Sequence, residues 1–394
     1  MLAALKNLPR TVWLIGLISL VNDSASEMVY PLIPLYLSSV LMAGPRALGI
    51  IEGIAEATAS LLKLFSGIVV DRTRRAKPWI LFGYGLAAFG RPLMILVTSW
   101  YGLLLLRFAD RVGKGLRSSP RDALLANSVT AERRGLAFGV HRAMDNAGAV
   151  IGPLLAAALL GAGMPIKDIF LWTLVPALFC VIFALMIQEP GVEKPLKLKK
   201  FDSRLKNMSP VFKRYLIVVA LFTLGNSSNM FLLLRARELG VAQAEVPLLW
   251  AAVSLVAMLF SAPLSALSDR YGRLHLLLAA YLAYALFYFS MGSLRSHGVM
   301  LYALFGFYGL FLAASEGVEK ALVADLAAEG LQGAAFGWFN MVTGIMLLPA
   351  SIFFGYLYQT ISPFVAFAFS GSCAALAALL LWRWVDLPSA KMIG

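Results

Sequence analysis

Residues 61–98 read LLKLFSGIVVDRTRRAKPWILFGYGLAAFGRPLMILVT, two apolar runs on either side of a short charged turn. The first run continues back to about residue 47, so both runs are long enough to form a membrane-crossing helix. Such a helix needs roughly 20 residues to cross a hydrocarbon core of about 30 Å. The turn between the runs is rich in Arg and Lys, which is typical of cytoplasmic loops of membrane proteins. The stretch therefore predicts two membrane spans joined by a basic cytoplasmic turn.

The whole chain has the same character. Of its 394 residues, 60% are hydrophobic and 14% are charged, whereas an ordinary soluble domain is roughly 25% charged. The formal net charge of +13 is concentrated in short segments between apolar runs, which indicates membrane topology rather than a nucleic-acid-binding face. Cys180 and Cys373 both fall within apolar runs and are expected to face lipid or fill the core. This excludes a disulfide framework or a Cys metal cluster, so no cofactor or metal site is expected.

The chain contains twelve apolar segments, which fall into two sets of six. The predicted spans lie near 11–41, 47–70, 78–98, 100–126, 136–160, 166–187, 213–239, 246–268, 275–294, 298–325, 333–358 and 361–383. We therefore expect an all-α membrane protein of about 12 transmembrane helices: an N-terminal six-helix bundle (1–187), a basic cytoplasmic linker (188–212) and a C-terminal six-helix bundle (213–394). The basic segments all fall on one side, which predicts that both termini are cytoplasmic. We expect the protein in the bacterial inner membrane.

An internal repeat supports this division. Asp71, Arg72 and Arg75 recur as Asp269, Arg270 and Arg273, a shift of 198 residues, and the same shift superposes Gly135, Ala137, Phe138 and Gly139 on Gly333, Ala335, Phe336 and Gly337. Parallel repeats of this kind are how some transporters form two homologous bundles that rock about a site at the membrane midplane. The repeat predicts transport by alternating access.

The charged turn also carries a family resemblance. Gly67-Ile-Val-Val-Asp71-Arg72-Thr-Arg-Arg75-Ala-Lys77 closely resembles the signature between the second and third spans of the major facilitator superfamily (MFS), and the resemblance extends over the whole chain. A weaker copy without the leading Gly ends in Asp269, Arg270 and Arg273. A carboxylate at a helix end can meet a helix N-terminus or an Arg and so latch one conformer. We expect Asp71 to act in this way, with Arg121 as partner; the alternative is that these charges only mark the cytoplasmic boundary.

A second motif lies in span five. Gly148-Ala-Val-Ile-Gly152-Pro153 resembles the Gly-rich motif of proton-coupled exporters within this superfamily. Small residues four apart let helices approach closely, and Pro153 frees a backbone carbonyl. The motif predicts a packed, bendable seam between the two halves, with plain helix packing as the alternative.

Span four carries the most unusual pattern. Arg107, Asp110, Arg111 and Lys114 recur at helical spacing, and they would cost on the order of 10 kcal/mol if they were unpaired in hydrocarbon. They must line a cavity or neutralise one another. The superfamily often has Arg followed by Gln and Gly here, but Asp110 and Arg111 stand where those two are expected. Arg107, Asp110 and Lys114 are predicted to act in proton coupling or substrate binding; for Arg111 and Lys114 a compensated ion-pair network is the alternative.

Carboxylates on other spans are the expected counterparts. Asp23 and Glu27 of span one, Glu56 of span two and Asp145 of span five are predicted proton-coupling or substrate residues, although Asp23 and Glu27 are alternatively fixed partners of Arg107 or Arg91. The residues predicted to line the cavity are Asn22, Tyr30, Arg91, Arg111, Arg142, Asn226, Asn229, Glu316, Trp338 and Asn340. Glu52 is expected to be solvated near the outer end of span two, and His141 to be a boundary residue.

Several function classes are excluded by what the sequence lacks. It contains no phosphate-binding Gly-x4-Gly-Lys-Ser/Thr loop, no His-Glu-x-x-His and no Gly-x-Ser-x-Gly elbow, so neither an ATPase nor an enzyme is expected. The prediction is a monomeric secondary transporter of a small solute, with protons and the lipid bilayer as its other partners, working as a proton-coupled antiporter in efflux. The alternatives are a proton-coupled importer of an organic anion or metal chelate and, less favoured, a divalent-metal exporter or membrane enzyme.

Overall fold

The computed structural model describes residues 8–73, 75–130, 134–188, 205, 208–327 and 332–385. In these residues the secondary structure is helical throughout, and helices built from runs of apolar side chains form twelve spans. The six spans of the first half are Arg10–Val29 with Leu32–Ser39, Pro45–Thr73, Lys77–Gly90 with the 3₁₀ turn Pro92–Leu96, Trp100–Asn127, Arg134–Gly161, and Ile166–Trp172 with Leu174–Leu185. Those of the second half are Pro210–Gly225 with Met230–Glu238, Val246–Tyr271, Arg273–Ser293, Val299–Leu326, Gln332–Thr360 and Pro363–Trp384.

Eleven of these twelve spans in the described residues are apolar enough, by hydropathy and length, to cross a membrane. The exception is span four, Trp100–Asn127, whose row of charged side chains lowers its mean hydropathy. Such a helix is compatible with a membrane only where its neighbours cover it. The predicted all-α membrane fold of two six-helix bundles is confirmed. The linker predicted at 188–212 lies mostly outside the described residues, and the domain boundaries stay a prediction.

The repeat is visible in the helices themselves. Span four begins at Trp100 and span ten at Val299, 199 residues later. Span one is interrupted at Tyr30 and Pro31, and span seven is interrupted between Gly225 and Met230, the corresponding point of the second half. Interrupted helices near the membrane midplane are a recurrent feature of transporter binding sites, because they present backbone polar groups to a cavity.

The two halves meet along two pairs of helices, span two with span eleven and span five with span eight. The first pair packs backbone to backbone. A Cβ atom at Gly49 would lie 3.1 Å from the carbonyl carbon of Ser351, and one at Gly355 would lie 2.6 Å from the carbonyl oxygen of Pro45. Only glycine permits this approach, so the helices touch closely at the membrane side opposite the chain termini.

The second bundle has an aromatic interior. Phe222 stacks on Tyr281 with ring centroids 3.9 Å apart, and Tyr284 stacks on Tyr288 at 4.1 Å. Both cysteines, Cys180 and Cys373, are buried, as core-filling residues are. The charged side chains of the membrane interior thus concentrate in the first bundle, next to an apolar and aromatic second bundle.

Candidate functional site

Span four carries its charges into the interior of the first bundle. Arg107 donates from Nε and Nη2 to Glu52 Oε1 at 3.0 and 2.6 Å. Arg91 of span three pairs with Asp110 at 2.9 Å, and Arg107 Nη1 lies 3.8 Å from the same Asp110 carboxylate. None of these four side chains is more than 3% exposed. Charges buried so deeply in a membrane protein must compensate one another, and here they do.

Four residues of this network are more buried than the sequence predicted. Glu52, expected to be solvated, is fully buried, because Arg107 pairs with it from span four and Ser228 of span seven donates to its Oε2 at 3.3 Å. Arg91, Arg111 and Asn22, expected to line the cavity, are buried as well. Sequence spacing placed them on polar helix faces, but those faces turn toward neighbouring helices of the same bundle.

The network reaches a partly exposed position at Glu56. Arg111 Nη2 lies 3.0 Å from Glu56 Oε1, and the Glu56 side chain is 31% exposed while that of Arg111 is 3% exposed. Glu56 therefore belongs to the ion-pair network and is also accessible to solvent.

Arg117 is a member of the network that the sequence analysis missed. Its guanidinium lies 4.6 Å from the centre of the Tyr84 ring, and Nη1 donates to the carbonyl oxygen of Gly83 at 3.2 Å. The signal for it was present, since position 117 continues the helical spacing of Arg107 and Lys114 on the same face of span four.

Two carboxyl groups face each other between spans one and five. Asp23 lies within hydrogen-bonding reach of Asp145, and Asn22 Nδ2 donates to Asp23 Oδ1 at 2.8 Å. Arg142 Nη1 lies 3.6 Å from Asp145 Oδ2, and the Asp145 side chain is 20% exposed. Two carboxyl groups hydrogen-bond to each other when one of them carries a proton. The pair is thus a candidate proton-binding site that is partly exposed at Asp145.

Glu27, one turn farther along span one, is held by the other half of the molecule. Trp250 Nε1 of span eight donates to Glu27 Oε2 at 2.8 Å, and the Trp250 ring stacks on Tyr30 with centroids 5.1 Å apart. Trp250 is not among the residues predicted from the sequence. Its position is the repeat equivalent of Glu52, 198 residues earlier, so the repeat itself marks this position as facing the partner half.

Three lysines lie near these acids. Lys63 of span two lies within electrostatic range of Lys114 of span four and of Lys320 of span ten, across the two halves. Lys63 and Lys320 are exposed and Lys114 is half-buried. Lys114 interacts electrostatically both with Lys63 and with the acids Glu56, Asp23 and Glu27.

The pathway is closed on the side opposite the termini. There the backbone N–H of Arg46 donates to Gln359 Oε1 at 3.0 Å, and the Arg46 guanidinium lies 4.7 Å from the centre of the Tyr356 ring. The bonds from Ser228 to Glu52 and from Trp250 to Glu27 join the halves on the same side. Toward the termini, by contrast, Lys63, Lys320 and Arg142 are exposed.

Comparison with known proteins agrees with this two-bundle arrangement. The model of the Major Facilitator Superfamily matches residues 15–234 and, again, residues 215–393, one match for each half. The chain belongs to the Major Facilitator Superfamily. It is therefore an integral membrane protein and a transporter, not an enzyme, as predicted.

Three similar proteins illustrate the range of the superfamily. An uncharacterized MFS-type transporter of Methanocaldococcus jannaschii is 32% identical over 95% of both chains. Multidrug resistance protein MdtH of Photorhabdus laumondii is 25% identical over 79% of this chain and 77% of its own. Among solved structures, a point mutant of the nucleoside transporter NupG superposes with a TM-score of 0.82 at 14% identity, covering 96% of this chain and all of its own. At that identity the likeness concerns the fold alone.

The superfamily signature lies at the terminal side, and the structure describes part of it. The side chains of Asp71, Arg72 and Asp269 lie outside the described residues, so the Asp71–Arg121 latch stays a prediction. Arg121 donates to Asp122 Oδ1 at 3.1 Å and to Ser19 Oγ at 3.1 Å. The remaining signature residues are placed as follows: Gly67 packs against Ser119, Arg75 and Arg270 are exposed, and Arg273 pairs with Asp325 at 2.5 Å.

The glycine motif of span five packs against span one, not between the halves as predicted. A Cβ atom at Gly148 would lie 3.1 Å from the Asp23 Cβ, and one at Gly152 would lie 2.7 Å from the backbone nitrogen of Met28. The helix continues through Pro153 to Gly161. The motif thus brings the two helices that carry Asp23 and Asp145 together.

His141 also differs from its prediction. It is 5% exposed, and its Nε2 lies 2.8 Å from Ser19 Oγ of span one. Because span five begins at Arg134, His141 lies about two turns inside the helix rather than at a boundary. It joins the same span one to span five contact.

The second half supplies neutral polar groups to the midplane. Asn226 and Asn229, in the interruption of span seven, accept hydrogen bonds from Tyr284 at 3.3 Å and from Tyr308 at 2.5 Å. Trp338 is half-buried and Asn340 is exposed on span eleven. The Glu316 side chain lies outside the described residues. Within the described part of the chain, no group of three or more His, Cys, Asp and Glu side chains is arranged to hold a metal ion.

Proposed function

We propose that this protein is a proton-coupled antiporter that exports a small organic solute. In this proposal the termini are cytoplasmic, a single chain forms the whole pathway, and the membrane is the bacterial inner membrane. The charge distribution of the loops supports the orientation, because the basic segments lie on the terminal side. The cavity that is exposed on that side is then the inward-facing state.

The carboxyl pair Asp23–Asp145 carries the proposal. It lies at the cavity wall within hydrogen-bonding reach, and a pair of acids in contact holds a proton that neither acid would hold alone. The cations near Asp23 are Lys114 and Arg121, which act on it electrostatically and not through a hydrogen bond. The pair is therefore available for reversible protonation, unlike Glu52 and Asp110, which are locked to arginines.

Antiport follows if solute and proton compete for these acids. A solute that binds through a cationic or hydrogen-bond-donating group would displace the proton from the Asp23–Asp145 pair or from Glu27 while the cavity faces the cytoplasm. After the halves rock, a proton from outside would displace the solute. The name of the MdtH relative, a multidrug resistance protein, is in keeping with export.

Trp250 supports a link between this site and the rocking motion. It belongs to the second half and donates to Glu27 of the first half, so opening of the opposite side must break this bond. An ionised Glu27 accepts the indole N–H more strongly than a protonated one. Either a solute cation or a proton on Glu27 would weaken this bond, so the loaded carrier could rock in both directions whereas the unloaded one would stay closed to the outside.

A second candidate is proton-coupled import of an organic anion, and the lysines favour it. Lys63 and Lys114 lie near Lys320, whereas Arg91 and Arg107 are engaged in ion pairs with buried carboxylates. Protonation of Asp23 and Glu27 would leave Lys114 free to attract an anion, so proton and anion would bind together and move in the same direction.

The two candidates give opposite signals in proteoliposomes that hold a pH dye and start without a pH gradient. Pools of monoamines, uncharged aromatics and monocarboxylates are added outside. Antiport alkalinises the lumen, because solute entry drives protons out, whereas symport acidifies it. We expect alkalinisation by wild type and no proton flux for Asp23→Asn and Asp145→Asn, with Asp168→Asn, an exposed loop-side acid, as matched control.

The outcome that would sink the proposal is solute uptake by Asp23→Asn with an undiminished proton flux. Acidification by the monocarboxylate pool would instead select the import candidate. Uptake without any proton flux in wild type would remove proton coupling altogether.

A further inference from the structure

Asn22 lies where the buried arginine network meets the carboxyl pair. It is 4% exposed in span one. Its side-chain oxygen accepts from Arg91 Nη1 at 3.2 Å and from Arg117 Nη2 at 3.4 Å, and its backbone oxygen accepts from Arg91 Nη1 at 3.1 Å. Arg117 has a ring face, a backbone carbonyl and this amide around it, so Asn22 is one of the few acceptors it meets.

These contacts fix which way the amide points. A guanidinium only donates hydrogen bonds, so the atom that faces Arg91 and Arg117 must be the amide oxygen. The amide nitrogen then points the other way, and it donates to Asp23 Oδ1 at 2.8 Å. A reversed amide would aim N–H groups at two cations and an oxygen at a carboxylate.

The fixed amide in turn distinguishes the two oxygens of Asp23. Since Oδ1 always faces an N–H donor, it serves best as an acceptor, the carbonyl-like oxygen of the acid form. The proton of the Asp23–Asp145 pair is then left to Oδ2 or to Asp145. The hydrogen bond from the Asn22 amide also stabilises the ionised form of Asp23, so the proton leaves more easily.

We propose that Asn22 is a positioning residue for proton exchange, which orients the Asp23 carboxyl group and stabilises its ionised form through an amide anchored by Arg91 and Arg117. This inference rests on the proposed proton-coupled function and adds a residue that touches no solute. Arg91 and Arg117 thereby act on Asp23 indirectly, by polarising the Asn22 amide that donates to it.

Other charged groups face the same carboxyl group and set the background for any pH effect. They are Asp145 of span five, Lys114 and Arg121 of span four, and Glu27 of span one. Replacing Asn22 alters none of them directly. A change in the pH dependence of Asn22→Ala, which introduces no new charge, would therefore report the lost amide.

The test measures solute-dependent proton flux in proteoliposomes across pH, for wild type, Asn22→Ala and Asn22→Asp. Without the N–H donor, ionised Asp23 loses a hydrogen bond, and in Asn22→Asp it also gains a carboxylate neighbour. Both variants are expected to hold the proton to higher pH. The pH at which flux falls to half its maximum should rise by about one unit.

The control is Ser24→Ala, because Ser24 is also buried in span one but its hydroxyl bonds back to the Leu20 carbonyl, 2.8 Å away. Asn22→Asp keeps an oxygen toward both arginines, so it decides the question even where Asn22→Ala does not fold. Lower flux with an unchanged half-maximal pH in Asn22→Asp would overturn the inference and leave Asn22 a structural residue. That result is separate from failure of the proposed function, which is read from Asp23→Asn.

Discussion

Glu52 and Glu56 lie one turn apart on span two, yet their surroundings differ. Glu52 is enclosed by Arg107 and Ser228 and is fully buried, whereas Glu56 pairs with Arg111 from the edge of the cavity. A side chain in the first position can stabilise the fold, and one in the second can also meet a solute. Residue type and helical spacing do not distinguish them, because the partner helix decides.

The Arg107–Glu52 pair gives a test of this distinction. Arg107→Gln leaves a buried carboxylate without its counter-ion, which should lower the free energy of unfolding by about 3–5 kcal/mol. Joint replacement by Arg107→Gln and Glu52→Gln removes both charges and should recover much of that loss. Thermal unfolding in detergent measures both effects, with exposed Arg75→Gln as the control.

Transport by the double variant then decides the role of Arg107. If the double variant folds with near-normal stability and still transports, the pair is structural. If it folds but transports nothing, Arg107 acts on solute or proton, as the sequence pattern suggested.

At the scale of helices, the packing of span five on span one determines the separation of Asp23 and Asp145. Gly148 and Gly152 let the two backbones approach, and the Gly148 contact lies directly at the Asp23 Cβ. A spacing of four between small residues predicts close packing, and this was correct. The spacing does not identify the neighbouring helix, and the prediction that these glycines pack between the two halves was wrong.

Gly152→Ala tests this link between packing and site. The added Cβ would lie 2.5 Å from the Ser24 carbonyl oxygen and 2.7 Å from the Met28 nitrogen. We expect a loss of about 1–3 kcal/mol in stability, together with a loss of proton flux, because the two acids move apart. The matched control is Gly161→Ala at the end of the same helix, where the new Cβ meets nothing within 4 Å.

Thermal unfolding and proton flux are measured on both variants. Full proton flux in a destabilised Gly152→Ala protein would contradict the link, since the acids would then tolerate the separation of their helices.

At the scale of the whole molecule, hydropathy predicts eleven of the twelve spans, because each of these must cross the same bilayer thickness; the charged span four is the exception. The repeat predicts two bundles, because the duplicated segments fold alike. Neither predicts contacts between distant residues such as Glu27 and Trp250, which are 223 positions apart. The sequence indicates that buried charges need partners, but only the packing of the helices assigns those partners.

The structure also captures a single state of a pathway that must open on both sides. Contacts between the halves close the side opposite the termini, where Arg46 of span two meets Gln359 of span eleven. Alternating access requires that these two ends separate when the terminal side closes. A covalent bridge at this point should therefore stop transport without disturbing either bundle.

The variant Arg46→Cys with Gln359→Cys tests this requirement. The native Cys180 and Cys373 are buried and do not compete for a short thiol-specific cross-linker. We expect cross-linked protein to lose solute uptake, and reductive cleavage of a disulfide-containing linker to restore it, while each single-cysteine variant treated in the same way keeps its rate. Uptake at the full rate by protein that gel analysis shows to be bridged would mean that spans two and eleven stay together throughout the cycle. The moving boundary would then have to lie at the other contacts between the halves, spans five and eight and spans one and seven.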